Sequence, residues 1–319
     1  MSILQKLLRK PSTSPGIVAI SFLANGFAVA ICRYSDLASP RLHYCEVINA
    51  TEHQRLTQLT ALVKTHRLEE YDCHILLTAE QYQTLSIEAP PVPVEEIKQA
   101  ISWRVADLID YPVEQAVLDY YYLPDSNRPN TPKMLEVIVG NAVQISVLTQ
   151  LCQDAGLRVK VIDIQETVLR NLASLLPENQ QGVAVLHLQQ NSGYILIEKA
   201  GAIYLSRKFE YGYSRLVGAM YDEETLLQEQ NNLALEIQRS FDYVEHYYDI
   251  PPINSLAVVL MPNNTQDVIN FLYINHGIMA RAMDLSASIE GDILLSDATQ
   301  NLCAPCIGAS LRRTLESLQ

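Results

Sequence analysis

The side chains that could do chemistry gather around Val183 to Gly212, VAVLHLQQNSGYILIEKAGAIYLSRKFEYG. The stretch reads as three strands joined by two tight turns. Such a turn grips phosphate when glycines let backbone N–H groups approach closely and an acid organises Mg²⁺. Here the first turn offers His187, Gln189, Gln190 and Asn191. His187, alone in a turn, reads as a surface residue rather than a base. A second group, Glu236, Arg239 and Ser240, is spaced three and four apart, which keeps it on one helical face. That spacing suits an ion-paired packing face between lobes.

Other chemistries find less support. No G-x-S-x-G nucleophile elbow occurs, and the seven histidines show no metal-ligand spacing. Cys303-Ala304-Pro305-Cys306 is a C-x-x-C pair without a second pair or a His pair, placed before an expected C-terminal helix. It reads as small buried cysteines. Tyr120 to Tyr122 run along one strand, so Tyr121 faces opposite to its neighbours. The run suits a strand core or a protein interface.

Composition narrows the class. The net charge of -13 disfavours nucleic acid, since no basic cluster occurs outside Lys6 to Lys10. The apolar run Ile17 to Cys32 follows charged residues as a signal peptide would. The two prolines of KPSTSP, the turn at Asn25-Gly26 and the shortness of the run favour a β-hairpin instead. With no other spanning segment, a cytoplasmic protein with reduced thiols is expected.

The elements that position these residues follow from periodicity. A meander from Ile17 to Ile48 precedes an amphipathic helix, Glu52 to His66. A buried strand at Cys73–Thr78 and an α+β insert at about 80–161 follow. The insert is read as strand, helix, strand, strand, helix, strand, its first helix burying Ile97, Ile101, Val105 and Leu108. After a helix from Gln165, PENQQG marks a boundary. A second meander at Val183, a long helix Thr225 to Tyr248, a helix Thr265 to His276 and a last helix Gly308 to Leu318 complete the chain. The repeated meander predicts two duplicated α/β lobes with a cleft between them. The expected division is a basic tail 1–16, lobe I 17–176, lobe II 177–300, and a C-terminal helix 301–319 returning to lobe I.

Five stretches carry a resemblance: SIEAPPVPVEEIKQAISWRVADLIDYPVEQAVLDYYYLP, AGLRVKVIDIQETVLRNLA, GAIYLSRKFEYG, LALEIQRSFDYVE and IGASLRR. They resemble the PilM/FtsA family of actin-like (ribonuclease H-like) ATPases, and more narrowly its MshI-type members of MSHA pilus biogenesis. The resemblance implies ATP held by three turns. It lays Ser21 on the first turn's aspartate and Leu23 on its glycine, beside Asn25. It lays His187 on the second aspartate, with Gln189 and Asn191 on glycines. The adenosine-side glycines fall on Pro262, Asn263 and Asn264. All three turns depart from the pattern, so a lost ATPase activity and no required cofactor are implied. Residual ATP binding through Glu236, Arg239 and Ser240, on the helix facing adenosine in the family, is the alternative.

The implied function is that of a cytoplasmic scaffold in a type IV (MSHA-like) pilus machine. It would bind the N-terminal peptide of a PilN-like inner-membrane assembly protein, between core lobe and insert. A separate motor ATPase is a further implied partner. Lys6 to Lys10, with Leu4, Leu7 and Leu8, would at most assist contact with anionic lipid.

Overall fold

The computed structural model describes residues 14–34, 40–291 and 293–312. The basic tail before residue 14 and the end of the C-terminal helix beyond residue 312 lie outside the described residues.

The apolar run that resembles a leader forms β1 (Gly16–Leu23) and β2 (Gly26–Arg33), paired antiparallel. Both faces are covered, which is why it reads as a continuous apolar segment. Val18, Ile20 and Phe22 point to the outer core, while Ala19, Ala28 and Ala30 point inward. The turn residues are Ala24 and Asn25, one place earlier than Asn25-Gly26, with Gly26 opening β2. A Cβ on Gly26 would lie 2.0 Å from the Ile48 carbonyl oxygen of β3 (Arg41–Asn49), so the close strand approach requires glycine.

α1 (Glu52–His66) starts where expected, at Thr51 and Gln54 in a capping box. It leads to β4 (Asp72–Leu76), parallel to β1. Of the expected insert, Tyr82–Asn141 forms a separate sheet: β5 (Tyr82–Glu88), β6 (Ala116–Tyr122) and β7 (Met134–Asn141), in the order β5-β7-β6. α2 (Ile97–Val105) covers one face with Ile97, Ile101 and Val105. Leu108, expected on that face, lies beyond the helix and is exposed. The insert's expected second helix and last strand, α3 (Ala142–Asp154) and β8 (Arg158–Asp163), are built into lobe I. β8 pairs with β4, and Cys152 packs in the core of Leu59 and Leu62.

After α4 (Gln165–Ala173) the pattern recurs. β9 (Val183–Leu188), β10 (Gly193–Lys199) and β11 (Ala202–Phe209) form the second meander. α5 (Tyr213–Ala219) and α6 (Glu223–Tyr248) lead to β12 (Ser255–Val259), parallel to β9. α7 (Thr265–His276) then leads to β13 (Met279–Met283), parallel to β12. Lobe I runs β3-β2-β1-β4-β8 and lobe II runs β11-β10-β9-β12-β13, the same order twice. Lobe I gains one short edge strand, β14 (Glu290–Gly291), after α8 (Leu285–Ser288).

The last helix, α9 (Asp297–Ser310), begins well before the expected Gly308 and carries Pro305 inside it. α4 and α9 are sandwiched between the two sheets. Val168 and Leu172 of α4 and Cys303 and Ile307 of α9 share one core with Ala19 and Ala30 of lobe I and Val185 and Leu196 of lobe II. The C-x-x-C pair therefore sits on a helix rather than before one. All six cysteines are buried free thiols, and burial holds that of Cys306 well above the usual range.

Candidate functional site

The tips of the two meanders face a cleft of about 830 Å³ between the lobes. Lobe I contributes Ser21 to Ala24, the β4–β5 connection Thr78 to Gln81, and Val143, Gln144, Val147 and Leu148 of α3. Gln189, Ser192 and Tyr194 come from the second meander, and Leu302 and Pro305 from α9. Glu52, Arg55 and Glu80 are the charged lining residues. Arg55 was not singled out from sequence, because its partners are backbone atoms. Its Nη2 donates to the Leu23 and Ala24 carbonyls, and its guanidinium lies 5.9 Å from the Phe22 ring centroid. The cation is thus spent on fastening the first turn.

The second turn is fastened too. The Gln189 N–H donates to the Ser192 carbonyl at 2.8 Å, while Gln189 and Gln190 accept from the Tyr213 and Ser214 N–H groups at 2.9 and 3.0 Å. Asn191 Oδ1 accepts from Ser214 Oγ at 3.1 Å. Gly212 lies so close that a Cβ there would be 2.3 Å from the Gln190 carbonyl oxygen. The start of α5 therefore lies on this turn.

Of the expected site residues, Ser21 is buried on the cleft wall and Asn25 is exposed at the turn beside it. Asn263 is exposed in the β12–α7 connection, where Asn264 takes φ +63° and caps α7. Glu236, Arg239 and Ser240 do stay together, on α6 and outside the cleft lining. The Glu236 carboxylate accepts from Arg207 of β11 and from Arg239 at 3.3 Å, and Ser240 Oγ donates to the Glu236 carbonyl at 2.8 Å. The group braces helix against sheet, with Arg207 its unforeseen member.

His187 is a correction. It is a fully buried strand residue, not a surface one. Pro305 has no N–H, so the carbonyl of Asn301 four residues earlier lacks a helical partner. His187 Nε2 donates to that oxygen at 2.9 Å. The Asn301 side chain in turn donates to the carbonyls of Leu188 and Leu260 at 3.0 and 2.9 Å, at the ends of β9 and β12. The imidazole is a clip between lobe II and α9.

Burial lowers the His187 pKa from 6.5 to about 4, against the opposing bond to Asn301. Its contribution to stability is therefore complete above pH 6.5 and lost as pH falls toward 4. Glu198 on β10, fully buried, is raised from 4.5 to about 7 by burial, opposed by the Gly201 N–H and Arg170. Its contribution is complete below pH 4.5 and lost as pH rises through 7. The two offset each other between 4.5 and 6.5. His187→Gln, which keeps a donor, will gain stability relative to wild type as pH falls, approaching about 1.4 kcal/mol per pH unit. Glu198→Gln will gain as pH rises. Urea midpoints across this range check both, and curves parallel to wild type would contradict the assignment.

The repeated strand order with helices sandwiched between the sheets has a counterpart among solved structures. A chain of the PilM–PilN type IV pilus biogenesis complex matches over 95% of this chain and 99% of its own, with TM-score 0.68 and 15% identity. This chain has the actin-like ATPase fold. At that identity the likeness is one of fold. Two further matches are looser. One is a Bacteroides thetaiotaomicron protein with an actin-like ATPase fold and unknown function, with TM-score 0.48 and 10% identity over 89% of this chain and 94% of its own. The other is the cytoplasmic domain of EpsL, an inner-membrane component of the Vibrio cholerae type II secretion system, with TM-score 0.47 and 12% identity over 91% and 94%. No family model and no curated protein matches the sequence. Among the described residues no helix of the actin-like fold here is long and apolar enough to cross a membrane.

Proposed function

We propose that this protein is a cytoplasmic scaffold of an MSHA-type (type IV) pilus assembly machine, of the MshI kind. It binds the N-terminal cytoplasmic peptide of a PilN-like inner-membrane assembly protein and does not hydrolyse ATP. The observation that carries the reading is the state of the two turns at the cleft. The family resemblance lays Ser21 and His187 on carboxylates that would organise Mg²⁺, and Leu23 and Gln189 on glycines that would admit phosphate. Among the described residues, the one lining cation, Arg55, is fastened to the first turn's carbonyls. Glu52 and Glu80 add repulsion to a polyphosphate. A Mg-nucleotide does not suit this lining.

The same cleft suits a peptide. It runs along α3, the helix leading from the insert into lobe I, where Val143 and Val147 remain 59% and 62% exposed. Glutamines beside this apolar strip offer both donors and acceptors to an extended backbone.

Two measurements test the proposal. Calorimetry with Mg-ATP at millimolar concentration should show no heat; micromolar binding would favour an ATP-binding switch instead. Cytoplasmic peptides of pilus inner-membrane proteins should be captured by the full chain. Val143→Glu with Val147→Glu should weaken capture at least tenfold at unchanged thermal midpoint. Capture unaffected by the pair would exclude the cleft as the peptide site.

A further inference from the structure

A second cavity, of about 270 Å³, lies on the far side of the insert from α2. In the three-stranded sheet, Leu135, Val137 and Val139 face α2, so Glu136 must face the other way. The register places Ser86 and Tyr121 directly opposite Glu136 on its two flanking strands. This polar face would meet water in a free-standing unit. Here it is held against lobe II. Ser126 Oγ donates to the Tyr247 carbonyl at 2.7 Å, and Asn127 donates through N–H and Nδ2 to the Tyr248 and Asp249 carbonyls, each at 3.0 Å. The space between them is bounded further by Tyr204 and Ser206 of β11, Tyr243 of α6 and Glu166 in the first turn of α4.

Among the described residues, its lining carries no positive charge. Glu136 accepts from Ser86 Oγ at 2.7 Å and Glu166 from the Tyr82 hydroxyl at 2.8 Å. Burial is the main cause raising the pKa of both carboxyls, and Glu136 raises that of Glu166 further. Arg170, one turn beyond Glu166, directs Nη2 to Asn171 Oδ1 at 3.2 Å. Ser206 Oγ is buried without a partner. Two carboxyls, three tyrosine rings and an unused hydroxyl therefore line one recess that stays partly open to solvent. Buried carboxyls without a counter-charge are costly, and ring faces attract organic cations. No cluster of three or more metal-ligating side chains exists among the described residues, and the rings would contribute nothing to a metal ion.

We propose that this cavity binds a single organic cation, an ammonium or guanidinium group on a short alkyl stem, between Glu136, Glu166 and the rings of Tyr121, Tyr204 and Tyr243. The carboxyls supply charge, Ser206 Oγ accepts an N–H, and the rings flank the stem. The volume falls below that of a site for a drug-sized ligand, so one side chain or one small amine fills it. The inference stands apart from the pilus reading, since it uses neither the interlobe cleft nor the peptide proposed to bind there.

Calorimetry on the full chain with n-butylammonium and with its neutral isostere 1-butanol tests it. The cation should bind at least tenfold more tightly than the alcohol. Glu136→Gln and Tyr243→Ala should each remove at least tenfold of that affinity. Both positions are only partly buried, so the variants remain folded, and unchanged melting curves confirm it where Glu166→Gln would not. Agmatine against N-acetyl-arginine amide then separates a free amine from a protein side chain as the source. Equal binding of alcohol and cation, no binding of the cation at all, or binding indifferent to Glu136→Gln and Tyr243→Ala would each overturn the proposal.

Discussion

Replacing Asn301 with leucine will cost about 4 kcal/mol of folding free energy, the combined penalty of two stranded buried carbonyls. Asn301 is 1% exposed, and its Nδ2 serves the Leu188 and Leu260 carbonyls where parallel strands β9 and β12 end side by side. Leucine is close in volume, so little of the loss will come from a cavity. Such a cost is a large part of the roughly 5–15 kcal/mol that keeps a domain folded. Asn301→Asp keeps the shape but turns an oxygen toward both carbonyls. It should be worse than leucine at neutral pH and recover partly as the acid protonates. Urea denaturation of both variants decides the matter. A loss below about 1 kcal/mol for leucine would mean that the carbonyls find other donors and that Asn301 is no clip.

That clip also marks where sequence reading ended. The helices Glu52–His66 and Thr265–His276 and the two meanders were legible, because apolar periodicity and turn residues are local signals. His187 was not. Its neighbours Gln189 to Asn191 are turn residues, and the carbonyl it serves lies 114 positions later. Pro305 and the following Gly308 hid the start of α9 for the same reason: a proline breaks a helix unless another element takes up the freed carbonyl. The insert raised a different difficulty. A strand–helix–strand order does not say which sheet a strand joins, and β8 joins β4, more than eighty residues earlier. Arg55 and Arg207 escaped notice because their partners are turn carbonyls and a carboxylate on another element. The acidic cavity is likewise formed by residues of six separate elements, so neither Glu136 nor Glu166 stands out in its own stretch.

Gly308→Ala should destabilise the protein by about 3 kcal/mol, although alanine is the better helix former by about 1 kcal/mol. Gly308 lies within α9, and an alanine Cβ would sit 2.4 Å from the Val168 carbonyl oxygen and 3.0 Å from its carbon. Those are backbone atoms of α4, a helix held between both sheets, so no side chain can swing away to make room. The Asn171 side chain also donates to the Gly308 carbonyl at 2.9 Å, and would be strained by any shift of α9. Gly218→Ala in α5 is the matched control. Its Cβ meets nothing within 4 Å, so it should be neutral or stabilising by up to about 1 kcal/mol. Because α4 and α9 are the only long helices with side chains in the core shared by the two sheets among the described residues, a wedge between them acts on the lobes' mutual position as well as on stability. Gly308→Ala should therefore change small-angle scattering or interlobe cross-linking distances, whereas Gly218→Ala, in an unobstructed position on α5, should not. Equal and small effects of the two glycine substitutions on stability would show that α9 can move off α4 freely, and the sandwich would then be a loose joint rather than the spine of the fold.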